Sequence, residues 1–248
     1  MRIITILSLL FIFSCAHRSK KAGDVKIISS SDLKWTELRY LKKDKSLLAA
    51  NLWGDFKGDK SAGFLVQYPE DFISTFHAHD VSYRGIVIDG QIHSGDPKAS
   101  KLWMPNSSYW TWPAGRGHSL AASGGRNIVF VETDQGPFSV KPIKESFNGK
   151  EYPYNIHASN ILWKKKRGFE LVDTWKDKNG IISGSLLKFK DVVSLDIENS
   201  KLVIIKGEVF VKGQYLKPGS LIYSDGYAKL AFGCKVDECI VYFKPSNS

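Results

Sequence analysis

Three histidines carry the chemistry that can be read from this chain. His77 and His79 are separated by a single residue, after one apolar run and before another. Alternate residues of a strand share a face, so the two imidazoles should point the same way. Further along, Pro113-Ala114-Gly115-Arg116-Gly117-His118 reads as a turn that delivers a third histidine into the next strand. Three imidazoles converging from neighbouring strands can hold a divalent transition metal and leave positions open for water or substrate. Such a donor set does not choose among Fe, Mn, Zn, Ni and Cu. Two more residues are candidate catalytic groups. His93, with a ring nitrogen that titrates near neutral pH, is placed to be a fourth ligand or a proton shuttle, and Tyr83 to hydrogen-bond a ligand or bound oxygen. Trp103, Trp110 and Trp112 read as core and barrel rim. The chain carries no Gly-rich phosphate loop, nucleophile elbow or metalloprotease helix.

The elements that must position these residues read as strands. Apolar runs recur at 47–53, 63–68, 83–89, 128–132, 186–189, 202–206 and 240–243. Between them lies turn chemistry, including Asp89-Gly90, Gly124-Gly125, Asn179-Gly180, Lys206-Gly207 and Lys217-Pro218-Gly219. No stretch holds a helical period, and 7 Trp against 2 Met favours strands as well. Short strands at this spacing predict an all-β sandwich or barrel. Residues 62–92 and 183–209 share a pattern of Gly, alternating apolar residues and a Gly hairpin, and each is preceded by a Trp-containing segment. A period of about 120 residues is too long for a solenoid and indicates a duplicated domain. The expected organisation is a targeting segment at 1–14, a tether at 15–32, a metal-binding domain at 33–142, a linker at 143–158 and a second domain at 159–248.

Gly63 through Gly90, with His77-Ala78-His79 inside it, resembles the first cupin motif, and Pro113-x-Gly115-x-x-His118 resembles the second. The resemblance departs at one place. Seven residues before Gly90, where the motif usually carries Glu, stands Tyr83. It therefore implies a three-His site, like those of cupin thiol and diketone dioxygenases, rather than a His3Glu site. The segments 83–88, 92–97, 102–105 and 109–113 further resemble a bacterial bicupin family of unknown function. That likeness implies two tandem jelly-roll barrels over the mature chain. Aligning Gly207 with Gly90 puts Ser194, Asp196 and Ser200 where His77, His79 and Tyr83 stand. The second barrel is thus expected to be degenerate and structural.

The N-terminus joins a charged Arg2 to an apolar run at 3–13, too short to span a bilayer of ~30 Å. Ile12-Phe13-Ser14-Cys15 resembles a bacterial lipobox, which would make Cys15 the lipidated first residue of a periplasm-facing lipoprotein of the outer membrane or cell envelope. Cys234 and Cys239 flank four residues between two apolar runs, and a hairpin there would set them opposite each other for a disulfide in an oxidising compartment. No second cysteine pair completes a zinc knuckle. A net charge of +10 is spread over single and paired basic residues, and the longest basic run is Lys164 to Arg167. Nucleic acid is therefore not an expected partner. The expected partners are a small-molecule substrate or ligand, the membrane through the lipid anchor, and a second copy of the chain in a homodimer. Two functions fit: a metal-dependent oxygenase or oxidoreductase, and a non-catalytic metal or small-ligand binding or sensing protein. A cupin barrel alone does not choose between them.

Overall fold

The computed structural model describes residues 21–38, 47–98, 100–144, 151–177 and 179–245. The expected targeting segment, Cys15 and the first residues of the tether, up to residue 20, lie outside these residues. Apart from two 3-10 turns, the regular elements are all strands, as the alternating pattern predicts. Among the described residues no helix is long and apolar enough to cross a membrane.

Two seven-stranded antiparallel sheets form the body. The first runs Tyr154–Ile156, Tyr109–Trp112, Tyr83–Gly95, Ser119–Gln135, Lys60–Tyr68, Leu47–Trp53, Thr36–Leu38. The second runs Val25–Ile28, Leu221–Ser224, Lys201–Lys206, Cys239–Lys244, Ile182–Phe189, Glu170–Lys176, Lys164–Lys165. A four-stranded sheet closes the second barrel, and the pair His77–Ala78 with Lys141–Pro142 helps close the first. The arrangement is two tandem cupin jelly rolls.

Sheet residues alternate in facing, so each large sheet serves two cores. One face of the first sheet fills its own barrel with Phe64, Val66, Val87, Trp110 and Val129, among others. Its other face, with Leu65, Ile86, Ile88 and Phe130, packs on Leu186, Val203, Ile205, Ile240 and Tyr242 of the second sheet. The barrels are therefore joined by a buried sheet-on-sheet layer rather than by a loose hinge. Across it runs a charged network. Glu132, wholly buried on the first sheet, takes Lys244 Nζ at 2.8 Å and the Tyr242 hydroxyl at 2.6 Å from the second, and Arg84 Nη1 at 3.1 Å from its own.

Several expectations change in detail. Val25–Ile28, expected as tether, pairs with Leu221–Ser224 as an edge strand of the second barrel's sheet. Tyr154–Ile156, expected as linker, pairs with Tyr109–Trp112 in the first. Runs of three or four residues carry too little periodicity to announce a strand, and only a partner edge makes them one. Gly90 and Gly124-Gly125 are not hairpins. They lie within the long strands Tyr83–Gly95 and Ser119–Gln135, where the register shifts between Asp89 and Gln91. Gly90 has φ +75°, and a Cβ there would stand 2.1 Å from Asn127 Oδ1, so a bulge and not a turn requires it. Cys234 and Cys239 form a disulfide with Cα atoms 5.7 Å apart, but their strands are not a paired hairpin. One belongs to the four-stranded sheet and the other to the second seven-stranded sheet, so the bond ties two sheets at one end of the barrel.

Candidate metal centre

The first barrel brings His77, His79 and His118 together inside. All three are buried, and one ring nitrogen from each lies within 4.8 Å of the others. The backbone sets this up directly. His77 and His118 exchange backbone hydrogen bonds of 3.0 and 2.8 Å, and Gly115 N–H donates to His79 O at 2.8 Å. The turn at 113–117 is thus clamped onto the HxH segment. Gly117 leaves no room for a side chain, since a Cβ there would meet Phe76 at 2.4 Å.

Each imidazole is oriented through its Nδ1. His77 Nδ1 donates to Thr75 O at 2.8 Å, His79 Nδ1 donates to Ser139 O at 2.8 Å, and His118 Nδ1 meets Ser94 Oγ at 3.0 Å. A carbonyl can only accept, so in His77 and His79 Nδ1 carries the proton and Nε2 keeps its lone pair for an ion, and His118 has the same arrangement when its Nδ1 donates to the Ser94 hydroxyl. Ring packing holds the planes. His79 stacks on Phe138 at 4.2 Å, and His118 lies against Trp112 at 4.6 Å. Burial also favours the neutral form, which is the one that ligates. It pushes His77 down to about 4 and His79 down to about 3, the latter helped by the charge of His77. His118 is driven well down by burial and by its histidine neighbours.

These shifts fix a pH dependence. Above pH ~6.5 the three rings are neutral both folded and unfolded. Below it the unfolded chain takes up protons that the folded metal-free chain refuses, so stability falls with falling pH toward about 4. The slope is at most about 1.4 kcal/mol per pH unit per histidine. Urea midpoints of the metal-free protein between pH 7 and 4.5 should fall accordingly, and less steeply for His118→Gln. Equal slopes for the two proteins would contradict buried neutral histidines.

The walls around the rings include Leu47, Val66, Phe72, Leu120, Val131 and Phe138, with polar atoms from Tyr68, Tyr83, Ser74 and the Trp110 indole. They enclose a cavity of about 20 Å³, which is room for one water molecule. Tyr83 is 3 % exposed and its Oη lies 3.3 Å from His118 Nε2. Burial raises its pKa above the ordinary phenol value.

His93 stands apart from the trio. Its Nδ1 accepts the Leu102 N–H at 3.1 Å, and its ring meets Trp103 edge-on at 6.5 Å. It is not among the clustered donors, because its strand passes the site at Ser94, whose side chain takes the facing position. Trp110 and Trp112 are core residues, as expected. In the second barrel, Ser194 and Asp196 are exposed on the outer face, while Val193 and Ile197 point inward with Leu202, Val209 and Phe232. The expected alignment with His77 and His79 is therefore one residue out of phase, and the interior is closed apolar packing. Among the described residues the His77–His79–His118 group is the one cluster of three or more such donors close enough to hold an ion.

Sequence reasoning missed the orienting groups. The Thr75 and Ser139 carbonyls are backbone atoms without sequence signature, and Ser139 lies 60 residues from its histidine. Ser94 could have been suspected from its neighbour His93, but not its direction.

Solved structures share the fold at low identity. A protein from Nostoc punctiforme described as a candidate dioxygenase matches with TM-score 0.71 and 15% identity over 89% of this chain and 81% of its own. Protein Ylba from E. coli, of family-model DUF861, matches with TM-score 0.60 and 13% identity over 92% and 93%. Oxalate decarboxylase from Bacillus subtilis matches with TM-score 0.54 and 14% identity over 91% and 77%. No curated protein matches the sequence. The two barrels thus share the cupin fold, and residues 26–221 match the family described as a domain of unknown function, DUF4437, to which this chain belongs.

Proposed function

We propose that this chain is a lipid-anchored envelope protein whose first barrel holds one divalent transition metal and uses it in oxidoreductase chemistry of the oxygenase type on a small molecule. The observation that carries the reading is the set of three buried imidazoles, each with Nδ1 engaged and one ring nitrogen of each within 4.8 Å of the others. Donors about 2.0–2.1 Å from one ion suit this spacing after a small inward shift. A metal bound there supplies a Lewis acid for a chelating oxygen substrate and, where redox-active, electrons for dioxygen. Around it, Thr75, Ser139 and Ser94 hold the rings, and the apolar walls exclude water. The small-molecule oxygenase reading is supported by the likeness to the candidate dioxygenase. The lipid anchor at Cys15 and the periplasm-facing location rest on the lipobox pattern.

One observation favours the second reading, a metal-binding or sensing protein without turnover. A cavity of about 20 Å³ beside the histidines has room for little more than one water-sized ligand. An organic substrate would need side chains such as Phe138 or Phe72 to move. The test separates the readings. The protein without residues 1–15 is loaded with metals in turn, its metal content is measured, and oxygen uptake is followed with diketones, flavonols and thiols. One metal per chain with substrate-dependent uptake supports the enzyme. One metal with no uptake across the panel supports the binder. Two metals per chain would overturn a single-site barrel pair.

A further inference from the structure

The metal reading leaves one buried group without a role, the Tyr83 hydroxyl. In the metal-free site it has a hydrogen-bond partner. Where His118 Nδ1 donates to Ser94 Oγ, Nε2 offers a lone pair, and Tyr83 Oη sits 3.3 Å from it. That lone pair is the one an ion would take. Once it is taken, a phenol O–H held among Phe138, Trp110 and Val131 loses its acceptor there. A buried unsatisfied hydroxyl costs about 1–3 kcal/mol. The oxygen must then turn to the ion or to something bound on it.

Its spacing favours the ion. Two donors about 2.0–2.1 Å from a tetrahedral ion stand roughly 3.3–3.4 Å apart, and Tyr83 Oη stands 3.3 Å from His118 Nε2. The surroundings agree. The indole N–H of Trp110, wholly buried, has no hydrogen-bond partner among the described residues. Together with Ser94 it lies within reach of the Tyr83 hydroxyl. The indole is placed there by a glycine. Gly85 is two residues from Tyr83 on the same strand face and pairs with Trp110, and a Cβ on it would lie 2.2 Å from the indole ring.

We propose that Tyr83 is the fourth protein ligand, completing a His3Tyr set at the position where the cupin motif carries Glu. This rests on the metal reading above and goes beyond it. On binding, the phenol O–H bond breaks, its proton passes to solvent, and the oxygen lone pair forms the bond to the metal. No electron is transferred.

A phenolate ligand has an optical signature that a nearby phenol lacks. The metal-depleted protein, loaded with one equivalent of Fe(III) or Cu(II), should show a visible phenolate-to-metal charge-transfer band. Tyr83→Phe should bind the ion at least about 10-fold more weakly and lose the band, while keeping the wild-type near-ultraviolet dichroism. Tyr68→Phe, which alters the neighbouring phenol lining the same cavity, should keep the band. A wild-type protein that carries the ion without the band, or a band that survives in Tyr83→Phe, would overturn the assignment. A wild-type protein that takes up no ion would overturn the metal centre itself, and the assignment with it.

Discussion

His118→Ala is expected to remove stoichiometric metal binding altogether. His118 supplies one of three clustered imidazoles, and its loss leaves a two-histidine site. Removing an outer partner of a ligating histidine already weakens metal affinity by roughly 10–100-fold, and removing the ligand itself should exceed that. The comparison can be made within one residue's environment. Ser94→Ala, which deletes the Nδ1 partner of His118, should fall in the intermediate range. His157→Ala should bind like the wild type, because His157 only caps a 3-10 turn, its Nδ1 accepting from Ser159 N. Elemental analysis and competition with a metal-binding dye give both stoichiometry and affinity. A His118→Ala protein with full metal content would show that the ion sits elsewhere.

The second large effect should come from Glu132→Ala, far from any chemistry. Glu132 is fully buried and faces Lys244, itself 5 % exposed, across the layer between the barrels. Removing the carboxylate strands that ammonium and deprives the Tyr242 hydroxyl of its acceptor. Breaking a buried pair from one side costs about 3–5 kcal/mol, mostly the penalty of the charge left behind. Arg84 is less affected because it also pairs with Asp134. Urea unfolding should therefore show a much lower midpoint for Glu132→Ala, and Glu132→Leu with Lys244→Met should recover a large part of it. A single mutant within about 0.5 kcal/mol of wild type would mean the network adds nothing to the docking of the barrels.

Much of the candidate site was legible because its signals are local. HxH on a strand fixes two rings on one face, and the turn at 113–117 fixes where a third enters. The strand at 47–53 was legible for the same reason, since period-2 alternation shows wherever one face is buried. What depended on long-range placement was not legible. His93 looked equivalent to its neighbours, but the facing of a residue beyond the Gly90 bulge cannot be counted through the bulge. Ser194 and Asp196 were assigned inward on an alignment whose error of one residue reverses every side chain.

The sequence by itself determined an all-β duplicated chain, the three histidines and the Tyr83 departure from the cupin motif. These follow from residue types and spacings over a few positions, where backbone geometry leaves little choice. Only the tertiary structure decided the rest. It drew Ser139 to His79, set the Tyr83 oxygen beside His118, gave two short segments to distant sheet edges, and joined Glu132 to Lys244. Each of these pairs groups far apart in the chain. Their proximity comes from how two sheets bury their apolar faces together, which no local pattern encodes.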